Sequence, residues 1–161
     1  MNVGAQAASG RVFWFLHADT RLPDKAAHRI IEAVQHAGGW GRFDVRLSGD
    51  RFLLRLVERM MNWRSRFTGV ATGDQGIFVT RELFERVGGF ADLPLMEDID
   101  LSSRLKRQQW PVCLRDTLIT SSRRWEQQGV LRTIALMWYL RLAYFLGVPA
   151  ARLATRYDQT A

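Results

Sequence analysis

A single cysteine, Cys113, is all the thiol chemistry in this chain of 161 residues, which excludes an internal disulfide and a cysteine-based metal site. It lies in the apolar run Pro111-Val112-Cys113-Leu114 and is expected to be a buried structural thiol. No segment approaches the roughly 18 apolar residues that a membrane-crossing helix needs, and the first residues have neither the basic nor the apolar block of a signal peptide. A cytoplasmic location follows as the expectation. Internal repeats, linkers and low-complexity tracts are missing too. Acidic residues are in the minority, 16 Asp and Glu against 23 Lys and Arg, for a net charge of +7. That excess favours anionic partners, yet no nucleic-acid recognition motif accompanies it.

What the chain does have is apolar content, 47% with 11% aromatic residues, enough for one core and too little chain for two ordinary domains. The organising stretch is Val12-Phe13-Trp14-Phe15-Leu16-His17-Ala18-Asp19-Thr20. Five apolar residues without a charge predict a central strand buried on both faces. His17, Asp19 and Thr20 then stand at its carboxyl end, where open α/β sheets bind ligands. Two roles are open to Asp19. It can cap a turn, or it can hold a divalent cation on a phosphorylated substrate, since Mg²⁺ takes one or two carboxylates and fills its remaining positions with phosphate oxygens and water.

Met1 to Ser9 is small and polar, and predicts a short helix packing its alanines on the sheet. Pro23 suits a first helical turn, and Ala27, Ile30, Ile31 and Val34 recur at helical spacing until Gly38-Gly39. His28 and His36 fall near its polar side as solvated residues. Arg42 to Leu47 alternates as a half-exposed strand, with Phe43, Val45 and Leu47 inward and Arg42, Asp44 and Arg46 outward. Asp50 is the expected cap of a helix with Leu53, Leu54, Val57, Met60 and Met61 as its apolar stripe and Arg51, Arg55, Glu58 and Arg59 as its wet one. Met60, Met61 and Trp63 are expected in the core. The segment from Thr68 to Gly76 is a glycine-bearing loop that a ligand can approach closely.

Ile77-Phe78-Val79 predicts a short buried strand, Thr80 a helix cap, and Gly88-Gly89 a helix stop. Glu97, Asp98 and Asp100 then enter a helix whose dipole favours negative charge at its start. Trp110 to Leu114 and Thr117 to Thr120 look like two short strands around Arg115-Asp116. A last helix begins beyond Ser121-Ser122-Arg123-Arg124-Trp125. Its few polar residues mean that it is buried, pairs with another chain, or lies on a membrane surface. The tail after Pro149 carries no evident signal.

Taken in order, these clusters resemble the family-2 glycosyltransferases. Phe15-Leu16-His17-Ala18-Asp19 matches the place of the family's metal-binding Asp-x-Asp element. Gly88-Gly89-Phe90 with Glu97-Asp98-Ile99-Asp100-Leu101 matches its Gly-Gly-Phe and Glu-Asp-x-Asp-Leu signature, the more specific of the two. Ser121 to Trp125 is similar to a degenerate Gln-x-x-Arg-Trp element that keeps Arg124 and Trp125. The likeness to a small, soluble bacterial subgroup extends over essentially the whole chain. It implies an α/β fold of the GT-A, Rossmann-like kind: a mixed sheet flanked by helices, with residues 1–126 forming the sheet and active-site portion of one domain and 127–161 a C-terminal amphipathic helix and tail.

The resemblance also carries two departures. His17 replaces the leading acid of Asp-x-Asp, leaving Asp19 as the carboxylate for Mg²⁺ or Mn²⁺ with His17 beside it. The family's opening β-α-β portion, which grips the nucleotide base, is expected ahead of Met1. A chain without it would be N-terminally incomplete and catalytically impaired, and its unfinished sheet edge would invite homo-oligomers.

The implied reaction is attack of an acceptor hydroxyl on the anomeric carbon of a nucleotide-sugar donor, with inversion. Arg124 and the metal would neutralise the departing diphosphate. Asp98 would be the base and Glu97 would orient the acceptor, while Asp74 and Gln75 would line the sugar pocket and Trp125 would stack on a sugar or pack. A strand followed by Asp-Thr is also similar to haloacid dehalogenase phosphatases, but their nucleophilic aspartate is lacking where His17 stands. The alternative is a non-catalytic basic module that meets a partner chain or the inner face of the membrane peripherally through its arginines and final helix.

Overall fold

Phe78 and Val79 are neighbours in sequence and belong to different cores, because successive residues of a strand face opposite sides of the sheet. Phe78 packs with Phe43, Leu118 and the buried residues Ala26, Ile30 and Ala33. Val79 packs with Phe13, Trp40, Leu83, Phe84, Phe90, Leu101 and Leu105. The computed structural model describes residues 1–160. Its architecture is an α/β fold in which helices flank an open, mixed, four-stranded sheet. The strands are β1 (Val12–Trp14), β2 (Trp40–Leu47), β3 (Phe78–Thr80) and β4 (Val112–Thr120). They lie in the order β1-β3-β2-β4. β3 is antiparallel to β1 and β2, and β4 is parallel to β2.

β1 is therefore an edge strand of three residues and not the central one that its apolar run predicts. Only Phe13 is buried, while Val12 and Trp14 are half-buried and Leu16 is exposed. An apolar run reports burial; it does not report which strands lie alongside. β4 corrects a second expectation. The two predicted strands are one, interrupted by a bulge where the register moves from Phe43 opposite Leu114 to Asp44 opposite Thr117. Arg115 and Asp116 are the extra residues.

α1 (Asn2–Ala7) buries Ala5 and is pinned by Asn2, whose amide donates to the Phe90 carbonyl at 2.8 Å and accepts from the Phe90 N–H at 3.0 Å. α2 (Ala26–His36) covers the Phe43 side of the sheet. α4 (Arg81–Arg86) is capped by Thr80, whose hydroxyl accepts from the Leu83 N–H, and ends at Gly88 and Gly89, both at positive φ. α5 (Glu97–Gln108) carries Glu97, Asp98 and Asp100 in its first turn.

α3 (Phe52–Thr68) departs most from the sequence reading. β3 pairs with β2 only at Trp40 and Gly41, so the rest of that β2 edge has no strand beside it. Polar side chains of α3 take the strand's place. Asn62 accepts from the Val45 N–H at 2.9 Å and donates to the Val45 carbonyl at 3.0 Å. Glu58 accepts from the Leu47 N–H, and Arg55 donates to the Leu47 carbonyl at 2.7 Å and pairs with Glu58 at 3.0 Å. Arg66 reaches Asp44 at 2.6 Å, and Arg42 donates to Asp44 and to the Asn62 carbonyl. Arg42 and Glu58, expected on wet faces, are thus buried, because an uncovered strand edge needs donors and acceptors. Asp50 does not cap this helix; Arg51 occupies the N-cap position without a side-chain bond. Met61 is buried as expected, whereas Met60 and Trp63 reach the surface, and Cys113 is only half-buried.

The C-terminal part is three helices: α6 (Arg123–Gln128), α7 (Val130–Phe145) and α8 (Ala150–Thr160). α7 is not amphipathic. Thr133, Leu140 and Ala143 are buried, while Leu131, Trp138, Leu142, Phe145 and Leu146 around it are exposed. α8, in the tail expected to be featureless, buries Leu153 against α7. Among the described residues no helix is long and apolar enough to cross a membrane.

Candidate functional site

After β1 the chain crosses the end of the sheet and is fixed beside β4, where Arg21 and Ile119 exchange backbone hydrogen bonds of 2.8 and 3.0 Å. This crossing carries His17 and Asp19 over the sheet end toward Thr120 and Ser121. Opposite them, the buried contacts of Met96 and Ile99 with Leu140 and Ala143 hold the start of α5 against α7. Between these walls lies a cavity of about 570 Å³. His17, Asp19, Asp74, Glu97, Asp98, Arg124 and Trp125 all line it. These residues come from four separate segments of the chain.

Gln75 is the sequence-predicted site residue that does not. It is fully buried in a single 3-10 turn, Gly73–Gln75, where its amide donates to Ser65 Oγ at 3.0 Å and its carbonyl oxygen accepts from the Thr72 N–H at 3.3 Å. Its work is to fix the loop that presents Asp74. Gly73 in the same turn explains the glycine: a Cβ there would stand 2.5 Å from Nε2 of His17.

Asp98 ties this loop to α5. Its Oδ2 accepts from the Gly73 N–H at 2.7 Å and its Oδ1 from the Ile99 N–H at 2.7 Å. Each oxygen retains a second lone pair for the cavity. Met96, the N-cap of α5, is buried at φ 69, a left-handed conformation that costs a non-glycine residue energy and concentrates at functional sites.

Asp74 is electrostatically the most stressed member. Burial pushes its pKa above the ordinary carboxylate range; His17 opposes this, Asp98 and Asp19 reinforce it, and Arg141 opposes it. Three carboxylates thus act on one another in one cavity. Arg124 stacks on the ring of Tyr157, 3.9 Å from guanidinium carbon to ring centroid, and its Nε and Nη2 are buried without a hydrogen-bond partner. Burial lowers its pKa, with Asp158 and Asp74 working the other way. Trp125 packs against the Val45, Leu47 and Val57 cluster and lines the cavity with its remaining surface.

Arg141, Tyr157 and Thr133 were missing from the sequence-derived site and also line the cavity. Arg141 interrupts the apolar run of α7, and that interruption was its signal. Tyr157 lies four residues after Leu153, the helical spacing that marks α8. Among the described residues no group of three or more His, Cys, Asp or Glu is placed to hold a metal ion by itself. No protein-family model matches the chain, and neither does any curated protein compared with it.

Proposed function

We propose that the chain belongs to an inverting glycosyltransferase that moves a sugar from a nucleotide-sugar donor to an acceptor hydroxyl, on a sheet of the GT-A kind. One observation carries the reading: Asp19 and the Glu97-Asp98 pair, 78 and more residues apart, face one cavity together with the unpaired guanidinium edge of Arg124. Each group has a task in such a transfer. A departing diphosphate accumulates negative charge, and Arg124, pre-positioned by Tyr157, offers it buried N–H groups with no competing partner. The acceptor hydroxyl gives up its proton as the new bond forms, and Asp98 is held rigidly by Gly73 and Ile99 to receive it. Glu97 orients the acceptor, and Trp125 and Asp74 shape the sugar pocket.

A divalent cation of the Mg²⁺ or Mn²⁺ kind would be favoured electrostatically, because Asp98 and Asp19 both add negative charge beside the buried Asp74. Asp19 would hold it, with His17 alongside. When bound, such an ion supplies charge neutralisation for the diphosphate.

Calorimetry with a panel of nucleotide sugars, with and without Mn²⁺ or Mg²⁺, tests the reading. Metal-dependent binding that Asp19→Ala abolishes is expected. A chain that binds no nucleotide sugar but binds anionic vesicles in a salt-sensitive way would instead be the basic module, a reading that the exposed apolar side chains of α7 favour.

A further inference from the structure

A second cavity, of about 290 Å³, opens between α3 and α7. It shares Asp74, Trp125, Met137 and Arg141 with the polar cavity, so the two adjoin across these side chains. Its walls are apolar: Val57, Met60, Met61, Trp63, Ile134 and Trp138. The rim is also apolar and faces solvent, with Met60 37%, Trp63 68% and Trp138 59% exposed. The cationic side chains that line it are Arg64 and Arg141.

Those two arginines are poorly served by the protein. Arg64 donates from Nη1 to the Val70 carbonyl at 3.2 Å, while its Nε and Nη2 are buried without a partner. Burial, and after it the charge of Arg141, lower the Arg64 pKa to about 10. Both guanidiniums stay protonated at neutral pH and repel each other. An anion placed between them would satisfy the idle N–H groups and relieve the repulsion. Asp98 acts on both guanidiniums and Asp74 on Arg141 as well; with two buried nitrogens that have no partner, Arg64 is the stronger anchor.

We propose that this groove binds a single-chain amphiphile, with its apolar chain between α3 and α7 and a phosphate head on Arg64 and Arg141. Charge complementarity selects the head, and the apolar walls select the chain. A saccharide in the same groove would bury hydroxyls against Met, Val and Ile with nothing to pair them, which costs free energy at each one. The volume is at the low end for small-molecule sites and accommodates one slender chain. A chain entering from the rim would deliver its head to the junction beside Asp74. That the amphiphile is the sugar acceptor, with a hydroxyl near its head, rests on the transferase reading; that the groove is occupied does not.

Farnesyl phosphate is a suitable probe, titrated into the full chain with tryptophan fluorescence as readout because Trp63, Trp125 and Trp138 line the groove. Saturable binding is expected, with farnesol and inorganic phosphate each at least tenfold weaker. Arg64→Gln should remove the preference for farnesyl phosphate over farnesol, and Trp138→Ala should weaken both. Equal affinity for phosphate and alcohol would overturn the proposal, as would binding that neither variant alters. So would sedimentation showing a dimer that the probe does not disturb, since a second copy would then fill the groove. Nucleotide-sugar calorimetry on the same samples separates the two claims. Farnesyl phosphate binding without nucleotide-sugar binding ends the transferase reading and leaves the groove assignment standing, and the reverse result ends only the groove assignment.

Discussion

The Gly73 N–H donates to the Asp98 carboxylate across 2.7 Å, joining the glycine loop to the first turn of α5. Two segments that the sequence presents 25 residues apart are thereby one wall of the cavity. Asp98 is a bridge as well as a cavity group, and the two roles separate by substitution. Asp98→Ala leaves two backbone N–H groups without their acceptor and should lower stability by about 1–3 kcal/mol. Asp98→Asn keeps one accepting oxygen for the two N–H groups and should recover only part of that loss, while sugar transfer stays at least about 100-fold down because an amide is no base. Denaturant melts beside transfer assays read both effects. Activity that returns with the Asn variant would remove Asp98 from the chemistry.

Asp74 makes stability depend on pH in a direction that follows from its shift. Burial raises its folded-state pKa above the unfolded value. The stability available with Asp74 neutral is complete below the unfolded carboxylate value, about 3.9, and is lost as pH rises through the folded value. Asp74→Asn should therefore melt higher than the parent at pH 7, with the gap closing on acidification, and it should lose donor binding. Melting curves from pH 3 to 8 check this; a gap that is constant across that range would show that Asp74 carries no buried charge.

Arg124 depends on a helix that the sequence conceals. Tyr157→Ala removes the ring beneath the guanidinium, a contact of about 0.5–2 kcal/mol, and frees the side chain to rotate. Nucleotide-sugar affinity should fall roughly three- to thirtyfold, while Tyr157→Phe should hold it near the parent value, since the ring face and not the hydroxyl makes the contact. Equal losses in both variants would point to the hydroxyl instead.

Parts of this arrangement are legible in the chain because they are local. The Thr80 cap, the Gly88-Gly89 stop and the acidic start of α5 are each written within a few residues, and the structure has them where the sequence puts them. Asp19, Asp74, Glu97, Asp98, Arg124 and Trp125 do share one cavity. Sheet order is not local, so the apolar run at Val12 passes for a central strand when it is an edge. Gln75 is a pocket residue only as the family resemblance implies, and its amide is spent on Ser65 and Thr72. α8 lacks an apolar run; its cues are Pro149 just before its start and the Leu153 to Tyr157 spacing, both weak alone.

The polar stripe of α3 misled for the opposite reason: helical periodicity sorts residues by polarity, and here polarity marks the inner face. If Asn62 stands in for a strand, its loss should cost what two orphaned backbone groups cost. Asn62→Ala is expected to destabilise the fold by about 2–6 kcal/mol, the sum of an unsatisfied Val45 N–H and carbonyl. Asn62→Leu should do no better, because added apolar volume supplies neither donor nor acceptor. Hydrogen exchange makes the test specific to the edge. The Val45 amide should lose protection by orders of magnitude more than Phe78 or Val79 on β3, whose ladder Asn62 does not touch. Uniform loss across both strands would mean that α3 supports the sheet by packing alone.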